Sequence, residues 1–207
     1  RGNRIVTVFV SSGAFRINTV EGVIKDALRL GITHLELSSN LAHDPKVEAS
    51  IEKGLSRGLN LLLHNYFPAP FQPRVLNLAA TNDSDLAWSI AHCKRALDLA
   101  AIADCPFYSL HAGYAVPLTP DLLGKPAAQA EAMRDFAIDR KAAYGRMLNA
   151  VQDIADYAAS LGKKLLIENN VIAPVYLREL ADNPLLMTNA EEIERFIRDV
   201  GRNNVGF

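Results

Sequence analysis

The sequence predicts an α/β protein of the (β/α)8 barrel class, and three observations carry that expectation. Short apolar runs alternate with amphipathic stretches along the chain, in the order strand, helix, strand, helix. The turn after the first predicted strand reads Ser11-Ser12-Gly13-Ala14-Phe15-Arg16, without the G-x-G-x-x-G pattern that an open, doubly wound sheet would normally show there. Side chains competent for chemistry fall at the carboxyl ends of several strands, where a barrel carries its active site: Glu36, His64, His111 and Glu168. About five and a half of roughly eight barrel strands can be counted. The expectation is therefore a single barrel domain over residues 1–207, truncated just after strand six begins at Val205-Gly206-Phe207. The missing amino-terminal methionine and the apolar ending suggest that both ends are cut.

Each element has a local reason. Ile5 to Val10 mixes β-branched and aromatic residues and breaks at Ser11-Ser12-Gly13, which reads as strand one. Asn18 and Glu21 have capping-box spacing before the stripe Val20, Val23, Ile24, Ala27, Leu28, which Gly31 ends. His34 to Leu37 is strand two, with Glu36 inside it. Asp44-Pro45 reads as a cap with proline at the first helical position, and Val47, Ile51 and Leu55 recur until Gly58. Leu59 to Leu63 is strand three. The following Phe67-Pro68-Ala69-Pro70-Phe71-Gln72-Pro73 cannot be regular structure, because prolines remove amide donors; it is a surface loop or an active-site wall. Asp83 or Ser84 caps a helix bearing Leu86, Ile90, Cys93, Leu97 and Ala100, and Phe107 to Leu110 is strand four. Val116 to Pro126 is a second proline-bearing loop. A long helical region then carries a core stripe from Tyr144 through Met147, Val151 and Ile154 to Leu161, closed by Gly162. Lys163 to Ile167 is strand five, and Asn189 with Glu192 caps a last helix ending at Gly201.

Composition narrows the function. At 49% hydrophobic and 22% charged residues the chain is an ordinary globular one, and a net charge of −1 argues against a general polyanion binder. Two cysteines, Cys93 and Cys105, make no disulfide framework and fit a reducing cytoplasm. Cys93 lies on the buried face of its helix and reads as a packing thiol. No signal-peptide pattern and no apolar run near ~18 residues is present, so the expectation is a cytoplasmic chain that does not span a membrane.

The strongest functional signal is a repeated design. Leu61-Leu62-Leu63-His64-Asn65-Tyr66, Tyr108-Ser109-Leu110-His111-Ala112-Gly113 and Leu165-Leu166-Ile167-Glu168-Asn169-Asn170 each end an apolar run in a metal-competent side chain. A carboxylate at such a place is costly without a partner such as a metal or a bound substrate. Imidazole and carboxylate suit zinc, manganese or cobalt, so Glu168, His111 and His64 are the candidate ligands. Glu36 is either a salt-bridge partner at the barrel mouth or a substrate contact. Asn65, Tyr66, Asn169 and Asn170 follow the ligands directly and either bind substrate hydroxyls or satisfy loop backbone. His34 is expected at the barrel base, and His43 and His92 at helix flanks or the surface. No G-x-S-x-G, P-loop, C-x-x-C or H-E-x-x-H pattern occurs.

At Leu35-Glu36-Leu37, Leu63-His64-Asn65-Tyr66, Ser109-Leu110-His111-Ala112-Gly113 and Ile167-Glu168-Asn169 the chain resembles the xylose isomerase-like TIM barrels, which include sugar phosphate isomerases/epimerases and the endonuclease IV type of apurinic-site nuclease. The resemblance implies that Glu168 is a metal ligand, with further ligands from strands six to eight. It also implies an isomerase or epimerase of a small sugar or sugar phosphate. A divalent metal would chelate the substrate, and Glu168 would move a proton through an enediolate. Glu36, Asn65, Tyr66 and Asn169 would contact the carbohydrate. The alternative is a zinc phosphodiesterase acting on apurinic DNA, in which both histidines bind additional zinc. The scattered arginines and the absence of a basic stripe argue against nucleic acid as the partner. An incomplete barrel would expose a parallel edge and self-associate, so a homo-oligomer is a further expectation.

Overall fold

The computed structural model describes residues 7–207. Six strands are β1 (Val10–Ser11), β2 (His34–Leu37), β3 (Asn60–His64), β4 (Phe107–His111), β5 (Lys164–Glu168) and β6 (Val205–Gly206). Among the described residues the seven α-helices are α1 (Val20–Arg29), α2 (Val47–Leu55), α3 (Asp83–Ile102), α4 (Pro126–Met133), α5 (Arg140–Ser160), α6 (Pro174–Glu179) and α7 (Ala190–Val200). Of the strand expected over Ile5 to Val10, Ile5 and Val6 lie outside the described residues, and Thr7 to Phe9 take no strand pairing. Strand β1 begins only at Val10 and includes Ser11, which the sequence reads as the break. Contacts divide the chain into two compact units.

The first unit runs through Phe71 and includes Arg95–Tyr108. Its strands β1, β2 and β3 pair in parallel, with Ser11 opposite Glu36 and Glu36 opposite Leu62. In β3 the residues alternate as period two requires: Leu61 and Leu63 are buried, while Asn60, Leu62 and His64 share the more open face. Helix α1 buries Val20, Val23, Ile24 and Ala27 and packs on α2, where Gly54 sits against Ile24. The Cys105 thiol donates to the Leu61 carbonyl at 3.0 Å.

The second unit comprises Gln72–Lys94 and Ser109–Phe207. Here β5 and β6 pair in parallel, Leu165 opposite Val205, and α5 packs on β5 and α7. The buried stripe Met147, Val151, Ile154, Ala155, Ala158 is the core face expected of α5. A separate apolar cluster of Val116, Ala130, Met133, Tyr176 and Leu185 joins α4 to α6. The long helical region expected after the loop over 116–126 is divided into α4 and α5, and α6 is a short helix where the sequence predicts no element.

Several local readings shift. Thr19, not Asn18, caps α1, its hydroxyl accepting from Gly22 N–H. Asn82 caps α3, accepting from Ser84 N–H at 2.8 Å, so Asp83 and Ser84 fall inside the first turn. Asp44 accepts from Lys46 N–H at 2.8 Å, and α2 starts at Val47, after Pro45. His92 is buried, not superficial, and stacks on Trp88 with ring centroids 5.0 Å apart, because α3 turns that face inward. Asn189 caps α7 as its spacing predicts, accepting from Glu192 N–H at 2.9 Å. No described helix is long and apolar enough to cross a membrane.

Candidate metal centre

His64, His111 and Glu168 are each the fifth and last residue of a strand. The arrangement is the same in all three. The residue before each is a buried leucine or isoleucine, Leu63, Leu110 and Ile167, and each strand ends on the polar side chain that follows it. In β5, Leu165 and Ile167 are buried while Lys164, Leu166 and Glu168 lie on the more open face. His64 is half-buried at the end of β3, before a turn closed by Phe67 N–H to its carbonyl at 2.9 Å. Asn65 and Tyr66 are the turn residues, both half-buried, and Phe67 is buried behind them.

In the second unit the ends of β4 and β5 come together. Ala112 N–H donates to the Glu168 carbonyl at 3.0 Å, which fixes the backbones just beyond His111 and at Glu168. Their side chains then meet, His111 Nε2 lying 3.4 Å from Glu168 Oε2. Both remain accessible, at 52% and 41% of their side-chain surfaces, so a solute can reach the pair.

The donor chemistry fits a divalent ion. Bonds of about 2.1 Å to imidazole nitrogen and carboxylate oxygen, at tetrahedral or octahedral angles, put neighbouring donors about 3.0–3.4 Å apart. The observed 3.4 Å is within that span. One ion can therefore take both groups without moving either strand.

The segment after His111 is held unusually closely. Gly113 N–H points at the Met147 sulfur, 3.3 Å away. Tyr114 N–H and Ala79 N–H both donate to Asn77 Oδ1, at 3.1 and 3.0 Å, and Asn77 Nδ2 donates to the Tyr114 carbonyl at 2.8 Å. A Cβ on Gly113 would stand 2.7 Å from the Ala79 Cβ and 2.9 Å from Asn77 Oδ1, so only glycine permits this approach.

The remaining residues named from sequence fall as follows. Glu36 is half-buried in β2, two residues before Ser38, which lies just beyond the strand end. Ser38 belongs to a polar cluster with Ser12 and Asn40: the Ser12 and Ser38 hydroxyls are 3.0 Å apart, and Asn40 Nδ2 donates to the Ser12 carbonyl at 3.0 Å. Asn169 is exposed and its amide reaches the Asn170 carbonyl at 3.2 Å. Asn170 instead turns inward onto backbone carbonyls. Sequence reasoning did not single out Asn77, Met147 or the serine cluster. The contacts that join these residues to other segments span 26 to 37 residues of chain, so no local pattern announces them.

Cys93 is buried and its thiol is pushed up to about 12 by desolvation, as a packing residue should be.

The profile of a family described as the xylose isomerase-like TIM barrel matches residues 24–207. No curated protein sequence matches the chain. Among solved structures, a D-tagatose 3-epimerase-like protein superposes with a TM-score of 0.66 at 17% identity, covering 96% of this chain and 62% of its own. The 3-keto-D-glucoside 4-epimerase of E. coli gives 0.64 at 11% identity, covering 96% of this chain and 66% of its own. A D-psicose 3-epimerase solved with D-fructose gives 0.58 at 21% identity, over 90% and 56%. These likenesses establish a shared fold, and the chain spans roughly three-fifths of the length of these neighbours.

Proposed function

This chain belongs to the xylose isomerase-like TIM barrel family, and from that premise we propose that it is a divalent-metal-dependent isomerase or epimerase of a small sugar or sugar phosphate. The observation that carries the reading is the accessible His111–Glu168 pair, 3.4 Å apart at the ends of adjacent strands. The fold-level neighbours named as sugar epimerases support the substrate class.

In this reading Glu168, His111 and His64 are ligands of a manganese, cobalt or zinc ion, joined by groups from later strands of the barrel. The recurrence of a metal-competent side chain as the last residue of β3, β4 and β5 supports that set. The ion would supply Lewis acidity to a substrate carbonyl and its neighbouring hydroxyl, making the adjacent C–H acidic. Glu168 has a second carboxylate oxygen besides Oε2 with which to take that proton and return it, through an enediolate. His111 holds the carboxylate's orientation by lying beside Oε2. Glu36, Asn65, Tyr66 and Asn169 would meet the sugar's hydroxyls, each offering a donor or an acceptor at a strand end or the turn behind one. Two buried, unbridged cysteines suit work in a reducing cytoplasm.

The test uses the full-length protein. Metal content per chain is measured first, and about one bound ion is expected. Glu168→Gln keeps the shape and removes the base, so it should lose turnover by ~10³-fold or more while unfolding like the wild type. Solvent deuterium should enter the substrate carbon next to the carbonyl with at least one member of a ketose panel. Unchanged turnover in Glu168→Gln would falsify the assignment. Two or three zinc ions per chain, with cleavage of abasic DNA, would replace the sugar reading by the phosphodiesterase one.

A further inference from the structure

Resting on that metal-site reading, we propose that Asn170 is the positioning residue of the centre: its carboxamide locks the segment behind His111 to the segment behind Glu168. Asn170 follows Glu168 by two residues, and its Nδ2 reaches the carbonyls of Ala112 at 3.1 Å, Gly113 at 3.0 Å and Leu186 at 3.0 Å. Its own N–H donates to the Met187 carbonyl at 3.2 Å. Two reciprocal bonds complete the lock, from Ala112 N–H to the Glu168 carbonyl at 3.0 Å and from Leu186 N–H to the Gly113 carbonyl at 3.1 Å.

The consequence for the site is geometric. His111 is one residue before Ala112, and Glu168 is two before Asn170. Any slip between these segments changes the 3.4 Å spacing of Nε2 and Oε2 directly. The Nδ2 group carries two N–H donors and lies within 3.1 Å of three carbonyl oxygens, so its two donors are shared among the three, and the Gly113 carbonyl also accepts from Leu186 N–H. Aspartate would add an acceptor where carbonyls already converge, alanine would remove the side-chain donor to the Ala112 and Leu186 carbonyls, and glutamine is a methylene too long. Met187 is held at a φ of 54°, a left-handed conformation uncommon for an ordinary side chain. Its carbonyl is the one that accepts from Asn170 N–H.

The experiment compares two asparagines of the same chemistry in the full-length protein. Asn204 sits by the opposite end of β5, where its Nδ2 donates to the Ala155 and Lys163 carbonyls. Both Asn170→Ala and Asn204→Ala should lower stability. Manganese affinity, read by calorimetry, should fall by ~10- to 100-fold in Asn170→Ala, the range seen when groups that orient ligands are removed. It should stay within about two-fold of wild type in Asn204→Ala. Equal affinity in wild type and Asn170→Ala, or equal loss in both variants, overturns the proposal. If the wild type takes up no manganese, cobalt or zinc, the metal reading fails by itself and amide exchange decides the lock. Faster exchange at Ala112, Gly113 and Leu186 in Asn170→Ala than in Asn204→Ala supports it, and equal rates overturn it. Should Asn170→Ala not fold, Asn170→Ser, which retains one donor, carries the same comparison.

Discussion

Replacing Gly113 with alanine tests the packing behind the candidate centre without touching a ligand. The new Cβ would lie 2.7 Å from the Ala79 Cβ, 2.8 Å from the Ala79 nitrogen and 2.9 Å from Asn77 Oδ1. Carbon contacts settle near 3.5–4.0 Å, so the two segments must part by roughly 1 Å. None of the atoms struck is the free end of a flexible chain; two belong to the Ala79 backbone and its Cβ, and the third is already hydrogen-bonded. Overpacking of this kind costs about 1–3 kcal/mol. Separation also strains the bonds from Tyr114 N–H and Ala79 N–H to Asn77 Oδ1, each worth about 1 kcal/mol. The stiffer alanine returns less than about 1 kcal/mol through the unfolded chain. The net expectation is a loss of about 2–4 kcal/mol. In urea, with m near ~2 kcal/mol per molar, the midpoint should fall by about 1–2 M at unchanged m. A midpoint within ~0.2 M of wild type would refute the claim that glycine is required there.

Two further predictions concern groups away from the centre. Burial pushes the His92 imidazole down to about 4 from its ordinary 6.5. The unfolded chain therefore takes up a proton that the folded chain refuses between those pH values. Stability from this source is complete above pH 6.5 and is lost as pH falls to about 4, by at most about 3 kcal/mol. His92→Gln should flatten the acid limb of a urea stability profile, and an equally steep limb in the variant would contradict it. The Cys93 thiol, fully buried and pushed up to about 12, should resist iodoacetamide at pH 8 until the protein unfolds. Alkylation of Cys93 at the rate of a free thiol in native buffer would show that the helix face is open.

The strands were legible because their apolar runs are short, β-branched or leucine-rich, and bounded by glycine or proline. His64, His111 and Glu168 stood out for the same reason, since a polar side chain closing an apolar run needs no alignment to be seen. Asn189 could be read as a cap from its spacing to Glu192. Thr19 could not be separated from Asn18 in that way, because either side chain can accept from the first turn and tertiary packing decides which. His92 was misread because α3 turns its Trp88–His92 face inward, whereas the apolar stripe through Leu86, Ile90 and Cys93 had marked another face as the core. The lock around Asn170 was invisible from the chain alone. Its partners lie 16 to 58 residues away, and Asn169 beside it has the same composition with none of the same contacts. Helix α4 falls within the region the sequence reads as helical, but its break from α5 and the helix α6 were not legible, because their common core joins residues as far apart as Val116 and Leu185.

That small core also bears on how such a protein can change over generations. Val116, Met133, Tyr176 and Leu185 hold α4 and α6 to each other, while the strand ends carrying His111 and Glu168 are held by backbone and amide bonds. Drift at Val116, Met133 and Tyr176 reshapes the connections that follow β4 and β5, whereas Leu185 adjoins Leu186, whose backbone is tied to Asn170 and Gly113, and is less free to change. Under the proposed function, a lineage could exchange these connections and so alter what it binds while keeping the residues of the pair.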